Sequence, residues 1–390
     1  MSTYEVAQKP TVPTRLHSSA TRFRGVVQDL LNRAGIRING DNPWDIRVHN
    51  PKFYERVLSG GTLALGETYM DGWWDCDALD EFVARALRAG LRDAVRTSPR
   101  AYLFILLALL TNRQSRSRAF QIGERHYDIG NDLFEVMLDR RLTYSCGYWH
   151  TAKTLDEAQE AKLDLICRKV GLSPGQHVLD IGCGWGSFVQ YAAERYKVQA
   201  TGVTVSREQA ELARKRTASL PVEIRLQDYR DCNGTYDHIV SVGMFEHVGS
   251  KNYRTFMELA HKCLKEDGLF LLHTIVSART GHTIDPWTEK YIFPNSMIPA
   301  PEQIAEAAEG LFVIEDIHNL GAYYDPTLMA WHRNFTTNWH QIADRYGERF
   351  YRMWTYYLLI SAGSFRSRRN HVWQVVLSKQ GVPGGYRSVR

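Results

Sequence analysis

The segment Val178-Leu-Asp-Ile-Gly-Cys-Gly-Trp-Gly186 constrains what this chain can fold into more than any other stretch. A short apolar run, three glycines at alternate positions and the helical pattern SFVQYAAERY read as strand, tight turn and helix. Gly182, Gly184 and Gly186 let backbone amides approach a ligand and meet a helix start, where unpaired N–H groups concentrate. Such a turn builds a nucleotide-type pocket at the carboxyl end of a strand and commits the surrounding chain to alternating strands and helices. The rest of the chain complies. HVLDIG, QATGVTV, HIVSVG and LFLLHTI are apolar runs separated by helical patterns such as REQAELARKR, as in a parallel sheet with crossovers on both faces.

The spacing G-x-G-x-G after an acidic Asp180 is the methyltransferase version of the turn, whose nucleoside ligand is S-adenosylmethionine; a dinucleotide fold is the main competitor. Asp180, Gly182, Cys183, Gly184, Trp185 and Gly186 are therefore candidate cofactor contacts. The second strand ends at Thr204, where both fold types usually place an acid on the ribose hydroxyls, and Gln209 stands ready to serve from the next helix start. Gln227, Asp228 and Tyr229 follow the third strand, offering the adenine a polar edge reader and an aromatic wall; packing is the alternative for Tyr229. Strands four and five deliver Glu246, in GMFEHVG, and His273, in LLHTI, to the same rim, a carboxylate and an imidazole suited to acid/base work.

At 390 residues the chain suits two domains. The expected fold class is α/β. A doubly wound, Rossmann-like S-adenosylmethionine methyltransferase domain over 122–390 follows a small mixed α/β domain over 15–100 and a linker over 101–121. A net charge of +5 allows an anionic partner, nucleic acid or lipid, without choosing between them. Six scattered cysteines without a C-x-x-C pair suit a reduced, cytoplasmic chain with no metal site. The first twenty residues lack an apolar core for a signal peptide, and the longest apolar run, Ala101 to Leu110, is half of what a spanning helix needs. Arg85, Arg88, Arg92, Arg96 and Arg100 recur every three or four residues and would align on one helical face just before that run. This is a membrane-surface signal; a solvated helix followed by a core helix fits equally. Tyr69, Met70, Trp73 and Trp74 suit either a lipid headgroup boundary or a core.

The strings HYDIGNDLF, YSCGYW, VLDIGCGWG, VTVS, QDYRD, GMFEHVG and LLHTI, in this order, resemble cyclopropane fatty acid synthases, including the mycolic acid cyclopropane synthases. NPKFYERVL and GETYMDGWW extend the resemblance to the long bacterial form, from about residue 25 onward. It implies methylene transfer from S-adenosylmethionine to the cis double bond of phospholipid acyl chains, with Tyr144 and Ser145 at the cofactor. It also implies a bicarbonate ion held against Cys146, Glu246, His273, Ile275 and Tyr324, with neighbouring Tyr323 left open as the alternative. A homodimer through the catalytic domain follows from the same resemblance, whereas peripheral association with the inner face of the cytoplasmic membrane, anionic headgroups favoured, is expected from the arginine stripe and the apolar run after it. Tyr291, Phe293, Trp331 and Phe335 suit an acyl channel, or simply a core. The rivals are a methyltransferase acting on another lipid or a small amine, and an inactive scaffold, which the intact site residues oppose. A nucleic-acid enzyme lacks any recognisable nucleic-acid module, so no such partner is expected.

Overall fold

A computed structural model describes residues 15–91, 129–281 and 284–390. The amino-terminal unit consists of α1 (Arg15–Asn32), β1 (Arg47–Val48), α2 (Phe53–Met70), β2 (Trp74–Asp75) and α3 (Leu79–Arg88), with β1 and β2 paired antiparallel. Its core forms around Trp74, fully buried against the rings of Phe53, Tyr69 and Phe82 at 5.9, 5.2 and 5.7 Å. Of the aromatic cluster, Tyr69, Met70 and Trp74 are thus core residues; Trp73 is half-buried beneath the Arg56 guanidinium.

The second unit continues through α4 (Asn131–Met137), α5 (Leu155–Lys169), β3 (His177–Ile181), α6 (Ser187–Tyr196), β4 (Gln199–Thr204), α7 (Arg207–Thr217) and β5 (Val222–Leu226). It then runs β6 (Tyr236–Val242), α8 (Tyr253–Cys263), β7 (Leu264–Ser277), α9 (Pro286–Tyr291), α10 (Pro301–Ala308) and β8 (Val313–Asn319), ending with α11 (Tyr324–Asn338), α12 (Ala343–Arg366) and β9 (Asn370–Ser378). Local chemistry sets these boundaries: Thr154 and Glu157 form a reciprocal capping box on α5, with Asp156 in its first turn and Arg168 and Lys169 in its last.

The strands form one seven-stranded sheet in the order β5-β4-β3-β6-β7-β9-β8. β3 to β7 are parallel as expected, with the order reversing between β3 and β6. One strand beyond those expected departs from the parallel pattern. β9 lies between β7 and β8 and runs antiparallel to both, because the chain re-enters the sheet from the far end of the long α11–α12 excursion. A strand buried on both faces reads as the same apolar run in either direction.

That excursion also holds the two units together. α12 packs on α3 and α2, and Arg352 donates to the carbonyls of Tyr69 and Trp74 and to Asp75 Oδ1, at 2.6, 3.0 and 2.7 Å. Arg366 on α12 pairs with Asp325 on α11 (2.9 Å) and Asp80 on α3 (2.7 Å). α2 meets α9 so closely that a Cβ on Gly66 would lie 2.3 Å from the Trp287 ring.

Of the arginine stripe, Arg85 binds Glu81 at 2.9 Å and covers the Trp44 ring at 3.8 Å, while Arg88, exposed, donates to the Arg366 carbonyl at 2.8 Å. Arg92, Arg96, Arg100, the apolar run 101–110 and the expected linker lie outside the described residues. Among the described residues no helix is long and apolar enough to cross a membrane.

Candidate active site

The glycine turn follows β3 as expected. Gly182 adopts φ +94°, and a Cβ there would lie 2.6 Å from Met244 Cβ, so only glycine lets the β3 and β6 turns approach. Above this turn lies a cavity of about 140 Å³. Asp180, Gly182, Cys183, Gly184, Trp185, Thr204, Gln209, Gln227, Asp228 and Tyr229 all line it, with Tyr144 and Ser145 from the segment before α5. Gly186 does not; it caps α6 and lets that helix approach Ala213. Thr204 Oγ1 donates to Gln209 Oε1 at 2.9 Å, so the two residues that stand where an acid was expected form one unit. Asp228 accepts from the Arg230 amide and guanidinium, both at 2.9 Å, which fixes the loop beneath Tyr229.

Two charges lie deep in this pocket. Asp180 is buried with Oδ1 unpartnered, and burial pushes its carboxyl up to about 7. Lys162 of α5 is fully buried, drawn down to about 8 by the same loss of water, and donates to Ser145 Oγ at 2.8 Å. Sequence reasoning missed Lys162, although a signal existed: it interrupts the buried stripe Ala158, Gln159, Leu165 and Ile166 on α5.

A much larger cavity, about 810 Å³, adjoins the first and shares Tyr144, Ser145, Gly243 and His247 with it. Cys146, Glu246, His273, Ile275 and Tyr324 all line it. Glu246 comes from a single turn after β6. Its Oε1 accepts the Ile275 backbone N–H at 2.6 Å, while Oε2 is buried without a partner, and burial pushes the carboxyl up to about 7. The Ile275 amide therefore holds Glu246. His273 sits on β7, and burial keeps its ring neutral. Gln374 of β9, unforeseen in the sequence, donates from Nε2 to His273 Nδ1 at 3.3 Å, leaving the ring proton on Nε2.

Cys146 is fully buried, its thiol raised by burial and donating to the Gly147 and Leu320 carbonyls at 3.3 and 3.7 Å. It is a wall residue and not a thiolate nucleophile. Tyr324 faces the cavity; Tyr323 packs edge-on to Tyr148 outside it. Phe293 lines the cavity, whereas Tyr291, Trp331 and Phe335 do not. The amino-terminal unit adds an apolar part of the wall, through Val27, Leu31, Phe53, Val57, Phe82 and Leu91.

Residues 114–375 match the family model for mycolic acid cyclopropane synthetase. The chain belongs to that family. Membership makes it an enzyme of the S-adenosylmethionine-dependent methyltransferase type. Within the wider group of cyclopropane synthases, cyclopropane-fatty-acyl-phospholipid synthase of Escherichia coli (strain K12) is 54% identical over 365 residues, covering 94% of this chain and 95% of its own. The cyclopropane synthase MmaA2 of Mycobacterium tuberculosis superimposes with a TM-score of 0.63 at 33% identity, over 67% of this chain and 98% of its own. A coclaurine N-methyltransferase shares the fold, with a TM-score of 0.68 at 23% identity over 81% of this chain and 99% of its own.

Proposed function

We propose that this family member is a cyclopropane-fatty-acyl-phospholipid synthase, converting cis double bonds of phospholipid acyl chains to cyclopropanes. One observation carries the reading: Glu246, with a buried unpartnered oxygen, and neutral His273 line an apolar cavity of about 810 Å³ that opens onto the glycine-turn pocket. A small amine leaves such a cavity mostly empty, whereas an acyl chain fills it. The name of the Escherichia coli relative supports the same substrate.

The smaller pocket suits S-adenosylmethionine: a glycine cradle for the amino-acid part, the unpartnered Asp180 Oδ1 for a donor, and Tyr229 beside Gln227 and Asp228 for a base. Bound there, the cofactor supplies an electrophilic sulfonium methyl. Methylation of an alkene carbon leaves a carbocation on its neighbour, and loss of a proton from the new methyl closes the ring. The chain's task is to remove that proton without offering a nucleophile. A bound bicarbonate supplies the base in this reading. Glu246, through its unpartnered Oε2, His273 and Tyr324 are the residues that would hold it, and held there it would supply a base that is a poor nucleophile. Dry walls from the amino-terminal unit keep water from the cation.

The enzyme further acts at an anionic membrane surface, through the basic stripe of the sequence that includes Arg88, Arg92, Arg96 and Arg100 and the apolar run after it. It works as a homodimer through the catalytic domain. Support for this comes from β8, an edge strand among the described residues, where Val313, Ile314 and Ile317 are exposed. The deciding experiment is mass analysis of unsaturated phospholipids incubated with enzyme, S-adenosylmethionine and bicarbonate. Acyl chains should gain the mass of one methylene and lose their olefinic proton signals; unchanged chains would sink the proposal.

A further inference from the structure

The wall of the large cavity changes character along its length. His273, Ile275 and Ser277 alternate on β7, and all three line it, so the cavity follows that strand. Past Ser277 the lining becomes polar and basic, with Arg279, Thr280, Arg369 and Asn370. Ser277 pairs with Asn370 across β7 and β9, and the Ala278 amide donates to the Arg369 carbonyl at 3.3 Å. Two arginines therefore come to the same end of the same two strands. Arg279 and Thr280 are exposed, while Cys146 and His273 are 0% and 2% exposed, so the basic end is the mouth and the reacting end is deep.

An acyl tail has no use for two guanidiniums at its entrance, but a phosphodiester does, because each planar fork can bind two phosphate oxygens. We propose that Arg279 and Arg369, with Ser277 and Asn370, form a site for the headgroup phosphate of the lipid substrate. The proposal rests on the phospholipid reading above. Each guanidinium has five donors, enough to serve a phosphate beside protein partners. Glu302, which accepts from the Thr280 hydroxyl, and Asp285, which also lines the cavity and accepts the Trp287 and Thr288 amides, are carboxylates that keep this lining from being uniformly cationic.

The site also acts as a ruler. His273 and Ser277 are four residues apart, about 13 Å of strand, so a phosphate held beyond Ser277 leaves the glycerol and the first part of an acyl chain between itself and the reacting end. A phosphate held at the mouth thus limits how far along the acyl chain a double bond can lie and still reach Glu246.

The test uses the full-length enzyme and non-ionic detergent micelles, which take membrane binding out of the comparison. The micelles carry either an unsaturated phosphatidylglycerol or the diacylglycerol with the same acyl chains. R279Q/R369Q should lower the ratio of kcat/KM for phospholipid over diacylglycerol at least tenfold, with binding of S-adenosylhomocysteine intact as the check on folding. Should the double variant not fold, each single variant is read the same way, with about a threefold drop expected. An unchanged ratio, whatever happens to the absolute rates, overturns the phosphate site. Wild-type enzyme that binds S-adenosylhomocysteine yet modifies neither lipid overturns the phospholipid reading instead.

Discussion

The buried carboxyl of a single residue, Glu246, ties stability to pH. Its folded pKa, lifted from 4.5 to about 7, means that the native protein holds a proton which the unfolded chain releases. This contribution is complete below about pH 4.5 and is lost as pH rises through 7, a difference of roughly 3 kcal/mol. Glu246→Gln has no such titration, so its stability relative to wild type should climb by about 3 kcal/mol between pH 4.5 and 8. Denaturant unfolding at several pH values reads this, and a flat difference would mean the carboxylate is not buried as described. The same variant should bind S-adenosylhomocysteine normally by calorimetry while turnover falls at least a hundredfold. Gln374 has a subtler role. Gln374→Leu removes the donor that sets the His273 tautomer, worth about 1 kcal/mol, and should cut kcat five- to tenfold with little change in cofactor affinity. Loss of cofactor binding instead would show that Gln374 supports the smaller pocket.

At the scale of elements, the cavity exists because α12 presses the amino-terminal unit onto the catalytic sheet. Arg366 ties three helices through Asp80 on α3, Asp325 on α11 and its own α12, with its side chain about a quarter exposed. Arg366→Met leaves two carboxylates without their shared cation and should cost about 1–2 kcal/mol. Because α3 supplies Phe82 and Leu87 to the cavity wall, the lipid KM should rise more than the dissociation constant of S-adenosylhomocysteine does. Parallel changes in both would place the clamp's effect on the whole fold. The aromatic segment that ends in α12 thus packs on the amino-terminal unit.

For the whole molecule, two surfaces remain to be assigned. An exposed edge strand bearing Ile317 suits a second copy, and Ile317→Asp should shift the sedimentation coefficient toward monomer without unfolding the chain. A variant that sediments like wild type would move the dimer contact elsewhere. The proposed membrane role of the arginine stripe is best tested at Arg92 and Arg96, since Arg88 holds the Arg366 carbonyl and its replacement would also disturb the interface between the units. Reversal of both to Glu should weaken binding to anionic vesicles, most strongly at low salt. Unchanged binding would refute a membrane role for these arginines.

Much of the cofactor half was legible from the chain alone, for a physical reason. A glycine turn between strand and helix, and the rims of the strands that follow, are local features whose geometry is set by neighbours in sequence. Val178 to Gly186, Thr204 and Gln227 to Tyr229 therefore carried their positions openly, and the family resemblance brought Cys146, Glu246, His273, Ile275 and Tyr324 with it. The direction of β9, the pairing of Gln374 with His273 and the burial of Lys162 beside Ser145 depend on segments about 17 to 100 residues apart. So does the choice of Tyr324 over Tyr323. The cavity itself belongs to neither unit's sequence: Val27, Phe53 and Phe82 become its wall only when α12 docks the amino-terminal helices over Glu246. Local backbone chemistry determined where the cofactor pocket would form, and long-range packing alone decided what space stands beside it.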